Sequence, residues 1–554
     1  MGRPKVSHMI DVAPTADGSL PDLLRRWTTA APAAPAETAR SSSSARLPLA
    51  SSYGTDEQPG SYPYTRGRSA AGYLDELWVM GMYSGYGTPS ETNARFRRLL
   101  EAGQTGLSIA LDLPTQMGLD SDDPRADGEV GKVGTPLDTV DDLLALLDGL
   151  PLERVRQMRT TANAIGPIFA AFALVALEEL GVDPQSLRVM LQNDPLKEFT
   201  ARGTFIFPPH ASLVLAVDVV EYFAANVPHW EPIEFCGYHI RDAGSTAVEE
   251  VAIATANGMA YLDEARRRGV DISEIAPSLF LFLSTGVDVF EEAAKLRAAR
   301  RLWAKLLHEW YGVPTERAAI NLFVYTLGGA LTAQEPLNNV VRVAYETLAA
   351  VLGGAQTLAT SSYDEAMGLP TPAAAHLSLR TQQIAAHESG AANVVDPLGG
   401  SHYVEELTDR LEAEIVAAVL EIVEAGGAVA ALESGALAQK ISDSAYRFQC
   451  EVESGERKIV GVSVHPVAAE PYSEVFKVPV ELQAEQRAAL AARRGHRDEE
   501  GAQRAIAEVA RVVGEGQNCM PAVIDAARSR ATLGEITAAI GSVVGFHRAS
   551  KVRL

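Results

Sequence analysis

A repeated alternation of short apolar runs and long amphipathic segments restricts the fold of this sequence more than any other feature. Eight runs have the length of buried strands: GLSIALDL (106–113), VRQMRTTAN (155–163), LRVMLQND (187–194), IEFCGYHI (233–240), SLFLFLST (278–285), AAINLFVYT (318–326), AQTLATSS (355–362) and the short ANVVDP (392–397). Helical stretches such as IFAAFALVALEEL (168–180) lie between them. Eight strand–helix units in series predict an α/β fold, a (β/α)8 TIM barrel.

The segments on either side of the predicted barrel (61–400) have a different character. Residues 28–52 are rich in Ala, Pro and Ser, which is typical of a flexible linker, so we assign 1–60 to an N-terminal arm and linker. Residues 401–554 contain charged amphipathic stretches that predict a helical C-terminal extension. We expect this extension to pack on the barrel or on another chain.

Polar residues concentrate where the predicted strands end. The stretch FCGYHIRDAGST (235–246) delivers Tyr238, His239, Arg241 and Asp242 directly after an apolar run. Hydrogen-bonding residues follow the other runs in the same way: Asp112, Thr115, Gln116, Asn163, Gln192, Asn193, Asp194, Ser284, Thr285, Tyr325, Thr326, Ser361 and Glu365. Since TIM-barrel active sites lie at the C-terminal strand ends, this pattern predicts one polar site at the barrel mouth. The alternative is that these side chains only fix the loops.

Charge and motif content exclude several classes of function. The net charge of −23 argues against nucleic acid or an anionic membrane surface as a partner. Three cysteines without CxxC spacing, no 18-residue apolar run and no secretory signal favour the cytoplasm. The sequence has no Walker A loop, HExxH, GxSxG or dinucleotide fingerprint, and its histidines lack metal-ligand spacing, so we expect no metal ligands in this chain.

Longer segments carry a resemblance to a known family. They are YPYTRG (62–67), AGQTGLSIALDLPTQMGLDSDDPRADGEVG (102–131), LQNDPLKEFTARGTFIFPP (191–209), GYHIRDAG (237–244), LTAQEPLNNVVR (331–342), YDEAMGLPT (363–371), RTQQIAAHESG (380–390) and VDPLGGSHYVEELT (395–408). Over about residues 60–465 the chain resembles the large, substrate-binding subunit of methylmalonyl-CoA mutase and of its relatives, the isobutyryl-CoA and 2-hydroxyisobutyryl-CoA mutases. Residues 517–540 resemble the tail of members with a separate large subunit.

The resemblance implies an enzyme that uses adenosylcobalamin for a radical 1,2-rearrangement of an acyl substrate. The family's cobalamin domain ligates cobalt through the histidine of a DxHxxG motif. None of the eleven histidines here has Asp two residues before it and Gly three after it. We therefore expect a separate small cobalamin-binding subunit as the partner; a homodimer of the large subunit is also compatible with the sequence.

The resemblance also implies roles for individual residues. His239 and Gln192 match the donors to the migrating carbonyl group, and Tyr83 matches a tyrosine that packs against the substrate. Arg202 matches the arginine that pairs with the free carboxylate of the substrate in methylmalonyl-CoA mutase, and Thr161 is a further substrate-binding candidate. The cofactor-binding candidates are Ala110, Leu111, Gln116, Val133, Asp242, Gly328, Gly329, Ser361, Glu365 and Ala366, with Glu365 and Asp242 expected on the adenosyl ribose.

Other positions depart from the family pattern. Ser69, Ala71, Glu76, Val79 and Gly81 replace the Tyr, Thr, Arg, Thr and Arg that grip coenzyme A in the family. Further departures are Arg159, Glu231, Ser278, Phe280, Phe323, Tyr325 and Ser361. We therefore expect a carboxylate-bearing substrate presented without the usual coenzyme A grip, as a carrier-bound thioester or a smaller acid. The alternative is a non-catalytic paralogue that binds a cobalamin protein.

Overall fold

The computed structural model describes residues 52–54, 57–468 and 481–548, and two short antiparallel strands, Ser41–Ser42 and Pro48–Leu49. Residues 1–51 and 52–554 are separate compact units, and the account below concerns the second. Most of the predicted arm and linker (1–60) lies outside the described residues.

A closed parallel barrel forms the centre of this unit. In the described part of the chain its strands are β1 (Val79–Met80, continuing in Tyr83–Ser84), β2 (Gly106–Ile109), β3 (Gln157–Thr160), β4 (Val189–Leu191), β5 (Glu234–Cys236), β6 (Phe280–Thr285), β7 (Asn321–Thr326) and β8 (Thr357–Ala359). The two segments of β1 pair with β8 and β2 respectively.

Backbone hydrogen bonds join β4 to β5 and close the circle. The Leu191 amide donates to Glu231 O at 3.0 Å, and the Glu234 amide donates to Gln192 O at 2.9 Å. The predicted TIM barrel is thereby confirmed.

Each strand is followed by a long helix on the outside of the barrel. These helices are α1 (Pro89–Glu101), α2 (Val140–Leu147), α3 (Gly166–Glu179), α4 (Pro209–Asn226), α5 (Ala247–Arg267), α6 (Val289–Lys305), α7 (Asn339–Leu352) and α8 (Pro372–His387). Local sequence determines where several of these helices begin. Before α1, the Thr88 side chain accepts a hydrogen bond from the Glu91 amide, and the Glu91 side chain accepts one from the Thr88 amide, which together form a capping box.

Seven further helices make up the described C-terminal part: α9 (His402–Glu424), α10 (Ala428–Glu433), α11 (Ala436–Ser454), α12 (Glu481–His496), α13 (Glu499–Gly514), α14 (Met520–Arg528) and α15 (Leu533–Val544). Helix α9 packs across α5 and α6, where Arg301 pairs with Glu412 at 2.6 Å. Helix α14 packs on α3, and the Cys519 amide before it donates to Asp218 on α4 at 3.0 Å. These helices therefore pack on the barrel.

One predicted strand is wrong and one real strand was missed. Residues 392–397 form turns, in which Asp396 has a φ of +48° and its carboxylate binds Arg66 and Arg297. The eighth strand is instead β1, which comes first in the chain. Gly81 and Met82 separate the two two-residue segments of β1, and the apolar stretch LWVMGMY (77–83) is the signal that could have found it.

Candidate active site

Partly exposed side chains ring the C-terminal ends of otherwise buried strands. Tyr83 lies in the last segment of β1, Thr161 follows β3, and His239 lies on the short helix Tyr238–Asp242 directly after β5. Arg202 ends the π-helical turn Glu198–Arg202, a local geometry that is frequent at functional sites. The Tyr83 hydroxyl and Thr161 Oγ1 are 3.1 Å apart.

A buried hydrogen-bond network connects this ring beneath its surface. Asn163 Nδ2 donates to Gln192 Oε1 at 2.8 Å and to Glu198 Oε1 at 2.6 Å. The Lys197 ammonium, which is completely buried, lies 2.7 Å from Gln192 Oε1 and 2.9 Å from His239 Nδ1. The structure thus brings the predicted Gln192 and His239 together through a lysine.

His239 is held as a neutral imidazole. Burial, together with the positive charges of Lys197 and Arg202, lowers its pKa well below the ordinary value of a histidine. The Cys236 sulfur is 3.2 Å from His239 Nδ1, and burial raises the pKa of this thiol, so it stays protonated. A neutral imidazole here can donate one hydrogen bond to a ligand but is a poor acid.

Arg202 has unused hydrogen-bonding capacity. Its nearest acid is Glu198, 3.8 Å away, and its side chain is 26% exposed. Nη1 is buried without a hydrogen-bond partner. Burial of Glu198 opposes its ionisation, but Lys197 and Arg202 outweigh this and lower its pKa. Arg202 therefore presents a guanidinium that a carboxylate ligand would complete.

A second group of predicted residues lies beside this cluster. The Gly329 amide donates to Asp242 Oδ1 at 2.8 Å. A Cβ on Gly328 would meet Tyr238 and Glu365, and one on Gly329 would lie 3.1 Å from Asp242 Oδ1, so the glycines leave a shallow cradle between two carboxyl groups. Desolvation and then the charges of Asp242 and Asp364 raise the pKa of Glu365 to about 7, although Glu365 reaches solvent, which screens this effect.

The remaining six cofactor-binding candidates do not form one group of side chains directed into the barrel mouth. Leu111 points into the core outside the barrel, and its carbonyl accepts from Gln116 Nε2 at 2.6 Å. Ser361 Oγ donates to Thr326 O at 3.1 Å. Ala110 is buried at the end of β2, whereas Val133 and Ala366 are exposed. The roles of these six residues stay predictions.

Sequence reasoning assigned no role to Lys197 and Glu198. Both are fully buried and 2.6 Å apart, within the stretch PLKEF (195–199). Adjacent Lys and Glu residues a few positions after a buried strand are the signal that could have found them, because charges of both kinds are almost never fully buried unless paired.

The barrel axis below the mouth is filled by stacked side chains. The guanidinium of Arg159 lies 3.7 Å over the Phe323 ring, Phe323 stacks on Phe282 at 4.1 Å, and Phe282 stacks on Tyr238 at 5.2 Å. Phe280 belongs to the same buried cluster. This aromatic stack (Arg159, Phe323, Phe282, Tyr238) separates the mouth from a 340 Å³ cavity at the N-terminal strand ends.

Comparison with known proteins identifies the family. The family model described as methylmalonyl-CoA mutase matches residues 39–546. The chain is 40% identical over 505 residues to methylmalonyl-CoA mutase of Cereibacter sphaeroides, covering 91% of this chain and 71% of the relative. The chain belongs to the methylmalonyl-CoA mutase family.

Two further relatives agree. Methylmalonyl-CoA mutase of Escherichia coli is 40% identical over 487 residues (88% of this chain, 68% of the relative). The probable methylmalonyl-CoA mutase large subunit of Mycobacterium tuberculosis is 40% identical over 501 residues (89% and 67%). The resemblance inferred from the sequence is confirmed. The mouth cluster, formed by Tyr83, Gln192, Lys197, Arg202 and His239, is the candidate active site of a mutase-family protein. In the described part of the chain, no helix has the length and apolarity needed to cross a membrane.

Proposed function

We propose that this chain is the large, substrate-binding subunit of an adenosylcobalamin-dependent carbon-skeleton mutase that rearranges a carboxylate-bearing acyl substrate. The observation that carries the proposal is the mouth cluster, in which Arg202, with an unpartnered Nη1, adjoins the hydrogen-bonded set of Gln192, Lys197 and His239. Family membership supports the reaction class.

Each residue of the cluster has a distinct task. Arg202 binds the free carboxylate of the substrate, because a guanidinium grips a carboxylate through two parallel hydrogen bonds. His239 and Gln192 donate hydrogen bonds to the carbonyl oxygen of the migrating group and stabilise the negative charge that develops there. Tyr83, held by Thr161, packs against the substrate and helps to exclude water.

The second group fits the adenosyl part of the cofactor. Asp242 and Glu365 flank the cradle at Gly328 and Gly329, and carboxylates are suitable partners for the two hydroxyls of a ribose. Adenosylcobalamin would supply a carbon-centred radical that takes hydrogen from the substrate. The remaining predicted cofactor contacts are Ala110, Leu111, Gln116, Val133, Ser361 and Ala366.

A separate small subunit would supply the cobalt ligand. The names of the Mycobacterium tuberculosis and Streptomyces virginiae relatives specify a large subunit, which supports the existence of a partner subunit. None of the eleven histidines here stands in a DxHxxG sequence. The partner would meet this chain at the barrel mouth, where the predicted ribose site opens.

The carrier group of the acyl substrate is not coenzyme A bound in the way that is usual for the family. Glu76, at the position of a family arginine, pairs with Arg156 at 2.8 Å on the rim of the N-terminal cavity. Each hydrogen bond lost from a charged group costs about 1.5–3 kcal/mol. The aromatic stack also fills the axis along which a pantetheine arm would run. We propose that the acyl group enters from the mouth, as a smaller acid or on a carrier that stays outside the barrel.

Reconstitution tests this function. The chain, a small cobalamin-binding subunit and adenosylcobalamin would be mixed with free, pantetheine-linked, carrier-linked and coenzyme A-linked dicarboxylic acyl compounds, and products followed by mass spectrometry. We expect isomerisation of at least one carboxylate-bearing compound. Tight calorimetric binding and turnover of ordinary coenzyme A esters would contradict the proposal that the carrier group is not coenzyme A bound in the usual way.

A second candidate function is favoured by the same replaced residues and closed axis. It is a non-catalytic paralogue that binds a cobalamin protein. Complex formation with the small subunit, combined with no turnover of any compound in that panel, would replace the mutase proposal with this one.

A further inference from the structure

The ammonium of Lys197 makes an unusual set of contacts. Its three partners are Gln192 Oε1 at 2.7 Å, His239 Nδ1 at 2.9 Å and Glu198 Oε1 at 2.6 Å. An ammonium has three donors and no acceptor, so these contacts use its full capacity. Whichever group approaches Lys197 must therefore accept a hydrogen bond.

This requirement determines where His239 carries its proton. A nitrogen that accepts from an ammonium presents a lone pair, so Nδ1 is unprotonated and the ring proton lies on Nε2. Cys236 Sγ, 3.2 Å from the same Nδ1, is a second potential donor to it. No described residue hydrogen-bonds Nε2, and His239 is only partly buried, which leaves the Nε2–H available to a ligand.

The same ammonium orients Gln192. Lys197 and Asn163 both donate to Gln192 Oε1, which turns the amide nitrogen of Gln192 away from them. The Gln192 side chain also hydrogen-bonds the buried carboxyl group of Glu234. The Nε2–H of His239 is therefore set by Lys197, whereas the amide of Gln192 is held by Lys197 and Asn163 together.

The position of Lys197 is fixed by the surrounding backbone. Asp194 begins the short helix Pro195–Lys197 and accepts from the Cys236 amide at 2.9 Å and from the Tyr261 hydroxyl at 2.8 Å. The end of β5 and the lysine are therefore tied to the same carboxylate. The other charged or titratable groups near His239 are Glu198, Arg202 and Tyr238, the last on its own helix.

We propose that Lys197 is a positioning residue, which holds His239 as the neutral Nε2–H tautomer and so makes it a hydrogen-bond donor throughout the working pH range. The catalytic meaning of this arrangement rests on the proposed mutase function; the tautomer itself does not. His239 would not take a proton during turnover, because its free nitrogen already carries one, and it would not give that proton, because its loss would leave an anionic imidazolate.

Nitrogen NMR of the full chain selectively labelled with 15N-histidine tests the tautomer. The His239 signals would be identified by their loss in H239N. We expect an unprotonated Nδ1 and a protonated Nε2, unchanged between pH 5.5 and 8.5. A proton on Nδ1, or an ordinary titration near pH 6.5, would overturn the proposal.

Variants test the role of the lysine. In K197M/E198Q, which removes both members of the buried pair, we expect both tautomers or a titration within that pH range. E198Q and C236A are matched controls, because each alters one neighbour and keeps the ammonium, and in both the Nε2–H tautomer should persist. An unchanged His239 signal in folded K197M/E198Q would show that Lys197 is not responsible. If K197M/E198Q does not fold, K197Q is used in its place, because its side chain retains a hydrogen-bond donor but carries no charge. The wild-type spectrum by itself still decides which tautomer His239 adopts.

Turnover separates this proposal from the proposed function. If the reconstituted protein is active, K197M/E198Q should lower kcat at least 10-fold more than E198Q does, and the flat pH profile of kcat expected for the wild type should become pH-dependent. If no compound is turned over but the spectra are as expected, the mutase proposal fails and the lysine–histidine arrangement stands.

Discussion

Truncation of Phe323 tests whether the barrel axis is packed shut. Phe323 is 4% exposed, stacks on Phe282 at 4.1 Å and carries the Arg159 guanidinium at 3.7 Å. A buried Phe→Ala change costs about 3–5 kcal/mol when the surroundings do not collapse. The lost cation–π contact, worth about 2 kcal/mol when desolvated, places F323A at the upper end of that range.

The arginine increases this cost. Burial lowers the pKa of Arg159 to about 10, and its Nη1 is buried without a hydrogen-bond partner. Removal of the ring leaves this cation facing a void, into which water must enter. We therefore expect F323A to lose about 4–5 kcal/mol of unfolding free energy.

Urea unfolding followed by circular dichroism measures this loss. Leu322→Ala is the matched control, because Leu322 is the adjacent, fully buried residue of β7 and points away from the axis into the outer core. Both variants should be destabilised by about 2–5 kcal/mol, but only F323A should gain calorimetric binding of pantetheine. A loss below about 1 kcal/mol in F323A, or equal pantetheine binding in both variants, would refute the closed axis.

Three further outcomes are expected. Arg202→Gln should lower kcat/KM for a carboxylate-bearing substrate about 100-fold, the equivalent of about 3 kcal/mol. Steady-state kinetics that show a fall in kcat/KM of less than about threefold would contradict the proposed role of Arg202. Burial, followed by the charges of Asp142 and Asp120, raises the pKa of Asp138 to about 8. The folded state therefore binds more protons than the unfolded state, and the contribution of Asp138 to the unfolding free energy declines as the pH rises from about 4 to 8. Thermal unfolding of D138N across this pH range should show a weaker decline in stability than the wild type. Lys295→Met removes the buried partner of two carboxylates, those of Glu250 at 2.6 Å and Glu292 at 2.5 Å, and should cost about 3–5 kcal/mol in urea unfolding. A loss near zero would contradict the importance of this buried pairing.

Much of the fold follows from local sequence. The apolar runs at 106–113 and 278–285 are strands because alternate residues suit a pleated surface that is buried on both sides. The polar residues after them lie at one end of the barrel because parallel strands all end on the same side. The short run at 392–397 was misread since two valines beside polar residues satisfy the same local pattern. Strand β1 was missed although its stretch LWVMGMY (77–83) is apolar, since its two paired segments are only two residues long.

The sequence by itself determined the TIM barrel and the family, and it predicted Tyr83, Arg202 and His239 for the barrel mouth, since all of these depend on order and spacing along the chain. Only the tertiary structure decided that Lys197 meets His239 across 42 residues and that Arg159 caps the Phe323 ring from another strand. The physical reason is that a hydrogen bond or a ring contact depends on the distance between two atoms, which strand register and barrel closure set. Local propensity fixes the elements, but closure of the barrel selects which of their side chains touch.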